Sequence, residues 1–260
     1  MKIFTMGDKH GAAKAMEQCF ERSGFDFEKD LLIDMGDVCD GWLGVKECVD
    51  QLLKCKNLIA IQGNHDWWFD QWLRTGVHPV SWLHGGHTTA ESYARAARTE
   101  ECPIRVIPST GAWITNLSNV DIPKSHQDFF GKQVPYYVDN KHRLFVHGGF
   151  RRELLLVDND HSELMWDRRL WNQALSCVGG NKLVTADDFS EIFIGHSATT
   201  NWKHKPTGQK RDAPMNSGGV WNVDTGAGFD GKLTIMNVDT KEYFQSDPVQ
   251  DLYPDEAGRN

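Results

Sequence analysis

The sequence lacks three features that would point to a membrane or a nucleic acid as partner. It has no run of about 18 apolar residues, the length that a membrane-spanning helix needs, and Met1 to Asp8 lacks the apolar stretch of a signal peptide. It also lacks a basic excess, since 28 Lys and Arg stand against 36 Asp and Glu, a formal net charge of -8. Because nucleic-acid binding needs clustered positive charge, we expect a cytoplasmic protein with no membrane contact and no stable nucleic-acid binding.

The six cysteines form no Cys-x-x-Cys pair, so free thiols in a reducing cytosol are the expected state. Internal repeats and long low-complexity tracts are missing too. The chain has 260 residues, of which 40% are hydrophobic and 25% charged, and these values suit one large α/β domain. We predict a single domain over residues 1–250 and a loose C-terminal tail over 251–260.

Short apolar runs that stop abruptly at polar residues predict buried strands. These runs cover residues 2–6, 31–35, 58–61, 144–146, 192–194, 219–223 and 233–238. Helical spacing of apolar residues appears over 12–23 and 45–54, between the first three strands, and a further helix is predicted over 88–100. Alternation of strand and helix with short loops predicts an α/β fold with a largely parallel sheet and right-handed crossovers. The stretch from 104 to 137 shows no clear order of elements.

Residues that can bind metals follow five of the predicted strands. They are, in chain order, Asp8 and His10, Asp37 and Asp40, Asn64 and His65, His147, and His196. Because sites in open α/β sheets form outside the carboxyl ends of strands, we expect these side chains to meet at one edge. Adjacent glycines allow sharp turns and leave room for ions and substrate. Each piece alone is typical of an ordinary turn, but five pieces in this order indicate a shared site.

The chemistry of this set indicates metal-assisted hydrolysis. Mixed oxygen and imidazole ligands favour manganese, iron or zinc over an all-oxygen magnesium or calcium site. Two such ions about 3.5–4 Å apart can bind a phosphoryl group and lower the pKa of a water that bridges them. The set therefore predicts hydrolysis of a phosphate ester.

The motif series resembles that of the calcineurin-like metallophosphoesterases. Asp-x-His, Gly-Asp-x-x-Asp, Gly-Asn-His-Asp, His-Gly-Gly and Gly-His occur in this order, and Met165-Trp166-Asp167-Arg168 adds to the similarity. Within the superfamily the chain looks most like the phosphoprotein phosphatases, particularly the small bacteriophage and bacterial serine/threonine phosphatases. The resemblance implies a four-layer fold, in which two mixed β-sheets pack as a sandwich flanked by helices.

The resemblance also implies a role for each motif residue. Asp8 and His10 would bind the first metal, Asp37 would bridge, and Asn64, His147 and His196 would bind the second. His65 would be the general acid that protonates the leaving oxygen, and Asp40 would orient its imidazole. The implied cofactor is a pair of divalent ions, manganese first, with iron or zinc as alternatives. The implied substrate is a phosphorylated protein or a small phosphoester.

The sequence departs from this pattern at the residues that would hold the substrate phosphate. Gly41 and Gln62 stand where the resemblance leads us to expect arginines, whereas Arg168 matches a third. Arg151 and Arg152 are candidate substitutes, with a solvated basic pair as the alternative interpretation.

The substrate class therefore stays open. A nucleotide or dinucleoside polyphosphate hydrolase is the alternative function, because Trp67, Trp68 and Trp72 could stack on a base, although core packing is the preferred interpretation. A binding module without activity is disfavoured, since every metal position and the His65–Asp40 pair are present.

Overall fold

The computed structural model describes residues 1–77, 82, 84–97, 105–107, 113–177, 180–203 and 208–259. The first half of the described chain supplies three strands of one five-stranded sheet and the helices on its outer face. Its strands and helices are β1 (Ile3–Met6), α1 (Ala13–Ser23), β2 (Leu31–Asp34), α2 (Val45–Leu52), β3 (Asn57–Ala60), α3 (Asn64–Thr75), α4 (Gly86–Ala97), β4 (Arg105–Val106), β5 (Trp113–Ile114) and α5 (Lys124–Gly131).

The second half supplies a second five-stranded sheet and completes the first. Its elements are β6 (Tyr136–Val138), β7 (Arg143–Val146), α6 (His161–Trp166), α7 (Arg169–Leu175), β8 (Glu191–Ile194), β9 (Met215–Ser217), β10 (Val220–Asn222), β11 (Thr234–Asn237), β12 (Tyr243–Gln245) and α8 (Val249–Leu252). The strand orders are β12-β11-β1-β2-β3 and β6-β7-β8-β10-β9, and β4 pairs with β5 apart from both sheets.

The two sheets pack face to face and carry helices on their outer faces. Apolar side chains from both sheets, including Ile33 of β2, Phe145 of β7 and Phe193 of β8, form one buried cluster between them. A larger cluster joins the first sheet to α1 to α5, and a third joins the second sheet to α6 and α7. The result is the four-layer α/β sandwich that the motif resemblance implies.

Local sequence explains the helices that lie beside the site. In α2 the buried residues Val45, Cys48, Val49 and Leu52 have the spacing of one helix face. Helix α1 ends at Gly24, whose left-handed backbone (φ 60°) lets its N–H bond to the carbonyls of Phe20 and Glu21. Both helices therefore present one apolar face to the first sheet.

All seven predicted strands are present within a residue or two of their predicted bounds. The sheets are mixed rather than largely parallel, because β11 and β12 return antiparallel beside β1 and because β6 and β9 are antiparallel edge strands. The helix α3 was not predicted, although Trp68, Phe69, Trp72 and Leu73 have the spacing of one buried helix face. Its first residues, Asn64 and His65, were interpreted as part of a loop that carries ligands. The predicted helix over 88–100 begins at Gly86, and residues 98–100 lie outside the described part.

The last residues differ from the predicted loose tail. The described part, up to residue 259, packs against the helical side of the first sheet. Tyr253 is buried there and stacks on Trp42, with 5.2 Å between the ring centroids. Leu43 N–H donates to the Glu256 carboxylate (2.9 Å), and Arg259 N–H donates to the Gly228 carbonyl (2.8 Å). Polar composition suggested a tail, but these contacts fix it.

Within the described ranges, none of the helices combines the length and the apolar character that crossing a membrane requires.

Candidate metal centre

The five strand ends that carry candidate ligands meet at one edge of the sandwich. Two sets of side chains, Asp8, His10 and Asp37, and Asp37, His147 and His196, each place their donor atoms within 4.8 Å of one another. Asp37 belongs to both sets. The Asn64 side-chain oxygen lies 3.2 Å from His147 Nε2, which adds the sixth predicted ligand to the same place. The geometry therefore offers two adjoining sites that share one carboxylate.

Backbone hydrogen bonds tie the loops after β1 and β2 together. The N–H groups of Lys9 and His10 both donate to the Asp37 carbonyl, at 3.0 and 2.9 Å. The fully buried Lys9 ammonium pairs with Asp34 and also donates to the carbonyls of Gly7 and Gly36. The loop after β1 is thus fixed to the loop after β2, which sets the distance between their ligands.

Four of the candidate residues hold a backbone conformation that is rare for residues with a side chain. His10, Asp37, Asp40 and His196 have positive φ angles of 46°, 51°, 66° and 62°. Each such residue costs of the order of 1 kcal/mol, and such strain clusters at functional sites. The surrounding hydrogen bonds hold these residues in place against that cost.

The histidines present one ring nitrogen to the centre because the other is already used. His10 Nδ1–H donates to the Cys39 carbonyl (2.8 Å), and His147 Nδ1–H donates to the Met35 carbonyl (2.7 Å). Their Nε2 atoms lie 3.6 and 3.3 Å from Asp37 Oδ2. This is the arrangement of metal-binding histidines, whose second nitrogen is oriented by a carbonyl or a carboxylate.

The buried donor atoms fit a pair of cations. Asp8 Oδ1 and His196 Nε2 are buried, and neither has a hydrogen-bond partner within the described chain. An unpaired buried polar atom is costly unless something else, such as an ion, satisfies it. Oxygen and imidazole donors together suit divalent first-row metals.

The electrostatics of the protein without ions lead to the same conclusion. Burial and the neighbouring Asp224 carboxylate raise the pKa of Asp8 well above its usual range. Burial lowers the pKa of His147, but the charges of Asp37 and Asp8 outweigh it and raise the value to about 10. A proton on His147 therefore compensates the negative charge of Asp37, and positive ions are suited to replace it.

His65 faces the candidate metals through one nitrogen and a buried carboxylate through the other. Its ring Nδ1–H donates to Asp40 (2.7 Å), and its backbone N–H donates to Asp37 Oδ1 (3.0 Å). Asp40 also accepts hydrogen bonds from the Trp82 indole N–H and the Thr89 hydroxyl. Because all three partners donate, Asp40 acts as a carboxylate here, although burial raises its pKa to about 7.

Glycines are required where the backbone passes closest to the ligands. A Cβ added at Gly63 would overlap Asp37 Oδ1, and one at Gly195 would overlap Asp8 Oδ1. These two motif glycines thus leave space for the carboxylates, whereas room for ions and substrate was expected from the sequence.

A cavity of about 550 Å³ opens directly over the candidate ligands. Its wall combines the proposed acid, two metal-site residues, two arginines and several aromatic rings: Asn64, His65, Trp67, Trp68, His84, Trp166, Arg168, His196 and Arg259. Arg168 donates to the His196 carbonyl and the Ser197 hydroxyl, both at 3.1 Å. The arginine that matches the motif series therefore lies beside the candidate metal ligands.

Arg151 and Arg152 do not lie on this cavity wall, in contrast to their prediction as substrate-binding residues. The Arg152 guanidinium donates to the Gln173 side chain and the Val184 carbonyl, while Arg151 is exposed. The Arg152 guanidinium is thus bound to α7 and to the chain before β8, and not to the cavity wall.

The tryptophans divide between the two interpretations. Trp72 is buried and stacks on Phe69, as core packing predicts. Trp67 and Trp68 line the cavity, and Trp68 also contacts Trp166, with ring centroids 5.2 Å apart. Trp166 is 41% exposed, which leaves an aromatic surface at the cavity mouth.

Several residues that shape the centre were not predicted from the sequence. Thr89 and Trp82 hold Asp40, and they come from a region without recognisable motifs. Asp66, the last residue of the Gly-Asn-His-Asp motif, was placed at the site by that motif, but its role was not predicted: it accepts hydrogen bonds from the N–H groups of Val38 and Cys39 and so fixes the loop that carries Asp37. Arg259 lies 249 residues from His10, its hydrogen-bond partner, and no sequence signal links them.

Comparisons with known proteins agree with this arrangement. The family model of calcineurin-like phosphoesterases matches residues 1–211, the larger part of the chain. Three similar structures share the fold at low sequence identity. A provisionally assigned diadenosine tetraphosphatase aligns with TM-score 0.59, 12% identity and coverage of 94% of this chain and 92% of its own. A serine/threonine phosphatase from Saccharomyces cerevisiae aligns with TM-score 0.53, 13% identity and coverage of 95% and 79%.

The third structure is a metallophosphoesterase from Sphaerobacter thermophilus, with TM-score 0.53, 13% identity and coverage of 98% of this chain and 95% of its own. The family match spans all five strand ends that carry candidate ligands, from Asp8 to His196. The chain belongs to the calcineurin-like phosphoesterase family and is a metal-dependent phosphoester hydrolase.

Proposed function

We propose that this chain is a phosphomonoesterase whose two divalent ions, manganese first, are held by Asp8, His10, Asp37, Asn64, His147 and His196. One observation carries the assignment: Asp37 is shared by two sets of buried donor atoms that are otherwise incompletely paired. A shared carboxylate is the natural bridge between two ions. Iron and zinc suit the same donors and remain alternatives.

The roles of the remaining residues follow from their positions. Bound divalent ions would neutralise phosphoryl charge and lower the pKa of water. His65 would give its Nε2 proton to the leaving oxygen, while Asp40 fixes the ring through Nδ1. Burial lowers the pKa of His65 to about 3, and the negative charge of a bound phosphate would raise it again. Arg168 would bind a phosphate oxygen from the cavity wall.

The first substrate class that we propose is phosphoserine and phosphothreonine in proteins. The motif series supports it, and the open cavity mouth at Trp166 would admit a peptide. We expect the enzyme to act in the cytoplasm, which suits the five free cysteines of the described chain.

A second candidate function, hydrolysis of nucleotides or dinucleoside polyphosphates, rests on the aromatic surface. Trp67, Trp68 and Trp166 lie beside the candidate metals, and Trp166 is exposed enough to stack on a base. The similar structure assigned as a diadenosine tetraphosphatase supports this candidate only at the level of fold.

A side-by-side assay separates the two candidates. The protein is stripped with EDTA, reloaded with manganese, and given a phosphopeptide, a dinucleoside tetraphosphate and a cyclic nucleotide at equal concentration. We expect the phosphopeptide to have the highest kcat/KM and every activity to vanish in EDTA. Faster cleavage of the dinucleotide, together with its loss in Trp166→Ala, would favour the second candidate. No turnover of any substrate with manganese, iron or zinc would contradict both.

A further inference from the structure

The C-terminal segment, residues 253–259, packs against the start of α1 and the chain between β2 and α2. Tyr253 stacks on Trp42, its hydroxyl accepts the Lys14 N–H (2.8 Å), and Glu256 accepts the Leu43 N–H (2.9 Å). Arg259 is then held by its own N–H, which donates to the Gly228 carbonyl (2.8 Å). These anchors deliver the last described side chain to a defined place.

That place is the wall of the cavity over the candidate metals. The Arg259 guanidinium lies over the Phe229 ring, 5.2 Å from its centroid, and Nη1 donates to His10 Nε2 at 3.0 Å. It lines the cavity together with His65, Arg168 and His196. Two guanidinium groups, one from the loop after α6 and one from the C-terminal segment, therefore share one cavity.

Gly41 makes this approach possible. A Cβ at this position would lie 3.2 Å from Arg259 Cγ and would crowd the His10 carbonyl. The φ angle of Gly41 is 134°, a conformation that residues with side chains rarely adopt. Because Gly41 has no side chain, the aliphatic part of the Arg259 side chain can pass close to its backbone.

The hydrogen bond between Arg259 and His10 uses the atom that a metal would need. His10 Nδ1 is engaged by the Cys39 carbonyl, so Nε2 has the only lone pair of the ring that is available for an ion. One lone pair cannot both accept the arginine N–H and bind a cation. When the site is loaded, the guanidinium must find another acceptor within reach, and a phosphate oxygen in the same cavity supplies one.

We propose that Arg259 is a substrate-binding residue that, with Arg168, grips the phosphate group of the substrate over the metal pair. This inference rests on the proposed phosphomonoesterase function and adds to it a phosphate contact brought from the C-terminal segment. Guanidinium groups bind phosphate through paired N–H donors, which makes two of them on one cavity a specific receptor for a dianion.

The test measures binding of inorganic phosphate to manganese-loaded protein by isothermal titration calorimetry, with metal content determined on the same samples. In Arg259→Ala, the Kd for phosphate should rise about 10- to 100-fold, the range for a lost charged hydrogen bond, while metal content stays at the wild-type value. The Kd of Arg259→Lys should lie between those of wild type and Arg259→Ala, because lysine keeps the positive charge but lacks the paired N–H donors of the guanidinium. Arg95→Ala, an exposed arginine on α4 paired with Glu91, is the matched control and should leave the Kd unchanged.

The outcomes separate this inference from the proposed function. If wild type hydrolyses phosphopeptides but Arg259→Ala keeps the wild-type phosphate Kd, Arg259 does not bind the phosphate and the proposed function stands. If Arg259→Ala instead binds phosphate normally and gains metal affinity, Arg259 is a competitor for His10 and not a substrate ligand. If wild type neither binds phosphate nor turns over phosphoesters, both the role proposed for Arg259 and the proposed function are wrong.

Discussion

Replacing His65 by asparagine should remove the leaving-group proton donor and little else. His65 Nδ1 is held by Asp40 at 2.7 Å, so only Nε2 faces the cavity. The shorter asparagine cannot bring a proton to the same point. The stability cost is limited, because Asp40 keeps its hydrogen bonds from Trp82 and Thr89, and we expect a loss of about 1–3 kcal/mol in the free energy of unfolding.

The dependence on the leaving group gives the magnitude. A serine alkoxide is a poor leaving group, so loss of the general acid should lower kcat on a phosphoserine peptide by about 10²- to 10⁴-fold. With p-nitrophenyl phosphate, whose leaving oxygen needs no proton, the loss should stay below about tenfold. Steady-state kinetics on both substrates, at matched manganese loading, measure the ratio.

His84→Asn is the matched control for this experiment. His84 lines the same cavity and stacks on Trp68, but it belongs to neither set of candidate ligands, and the hydrogen bonds to the Asp40 carboxylate come from other side chains of the described chain. It should leave the ratio between the two substrates unchanged. An equal loss on both substrates in His65→Asn, with metals retained, would refute the assignment of His65 as the proton donor.

Two further predictions concern the metal-free protein and the glycines. Since the pKa of His147 is raised to about 10, above an unfolded value of about 6.5, the folded state holds an extra proton. As the pH rises from 7 to 8.5 in EDTA, the free energy of unfolding should therefore fall by up to about 1.4 kcal/mol per pH unit. Urea titrations at several pH values should show a smaller dependence of this free energy on pH for His147→Asn. A slope that His147→Asn leaves unchanged would argue against this origin. Gly195→Ala should weaken metal binding by about tenfold or more, because its Cβ displaces Asp8, whereas Gly131→Ala, where a Cβ meets only open space and Arg74, should not. Equal metal affinity in the two glycine variants, measured by competition with a chelator, would contradict the steric argument.

The sequence could predict that the candidate ligands lie together, because they follow strands. Apolar runs such as residues 31–35 stop at glycine and aspartate, and the topology of parallel strands brings their ends together without further information. The rule brings Asp8, Asp37 and Asn64 together in the first sheet and His147 and His196 together in the second. The meeting of Asp37 with the two histidines depends on the packing of one sheet on the other, which only the motif resemblance implied. The mixed character of the sheets was less accessible, because β11 and β12 pair with β1 only through contacts that span the whole chain.

The parts that the sequence could not predict depend on tertiary contacts without local signals. Trp82 and Thr89 lie more than 40 residues from Asp40 in the sequence and still donate hydrogen bonds to it. The polar C-terminal segment packs on the protein because Tyr253 stacks on Trp42. Arg151 and Arg152 lie close to His147 in sequence, but they do not line the cavity. Arg259 enters the cavity from the other end of the chain. Nearness in sequence was therefore a poor guide to the residues that line the cavity.

Anomalous diffraction from crystals soaked in manganese tests the central claim most directly. The account predicts two anomalous peaks about 3.5–4 Å apart, with the Asp37 carboxylate between them, Asp8 and His10 on one side, and His147 and His196 on the other. A difference map that shows no peak beside Asp37, or a single ion bound elsewhere in the molecule, would contradict it.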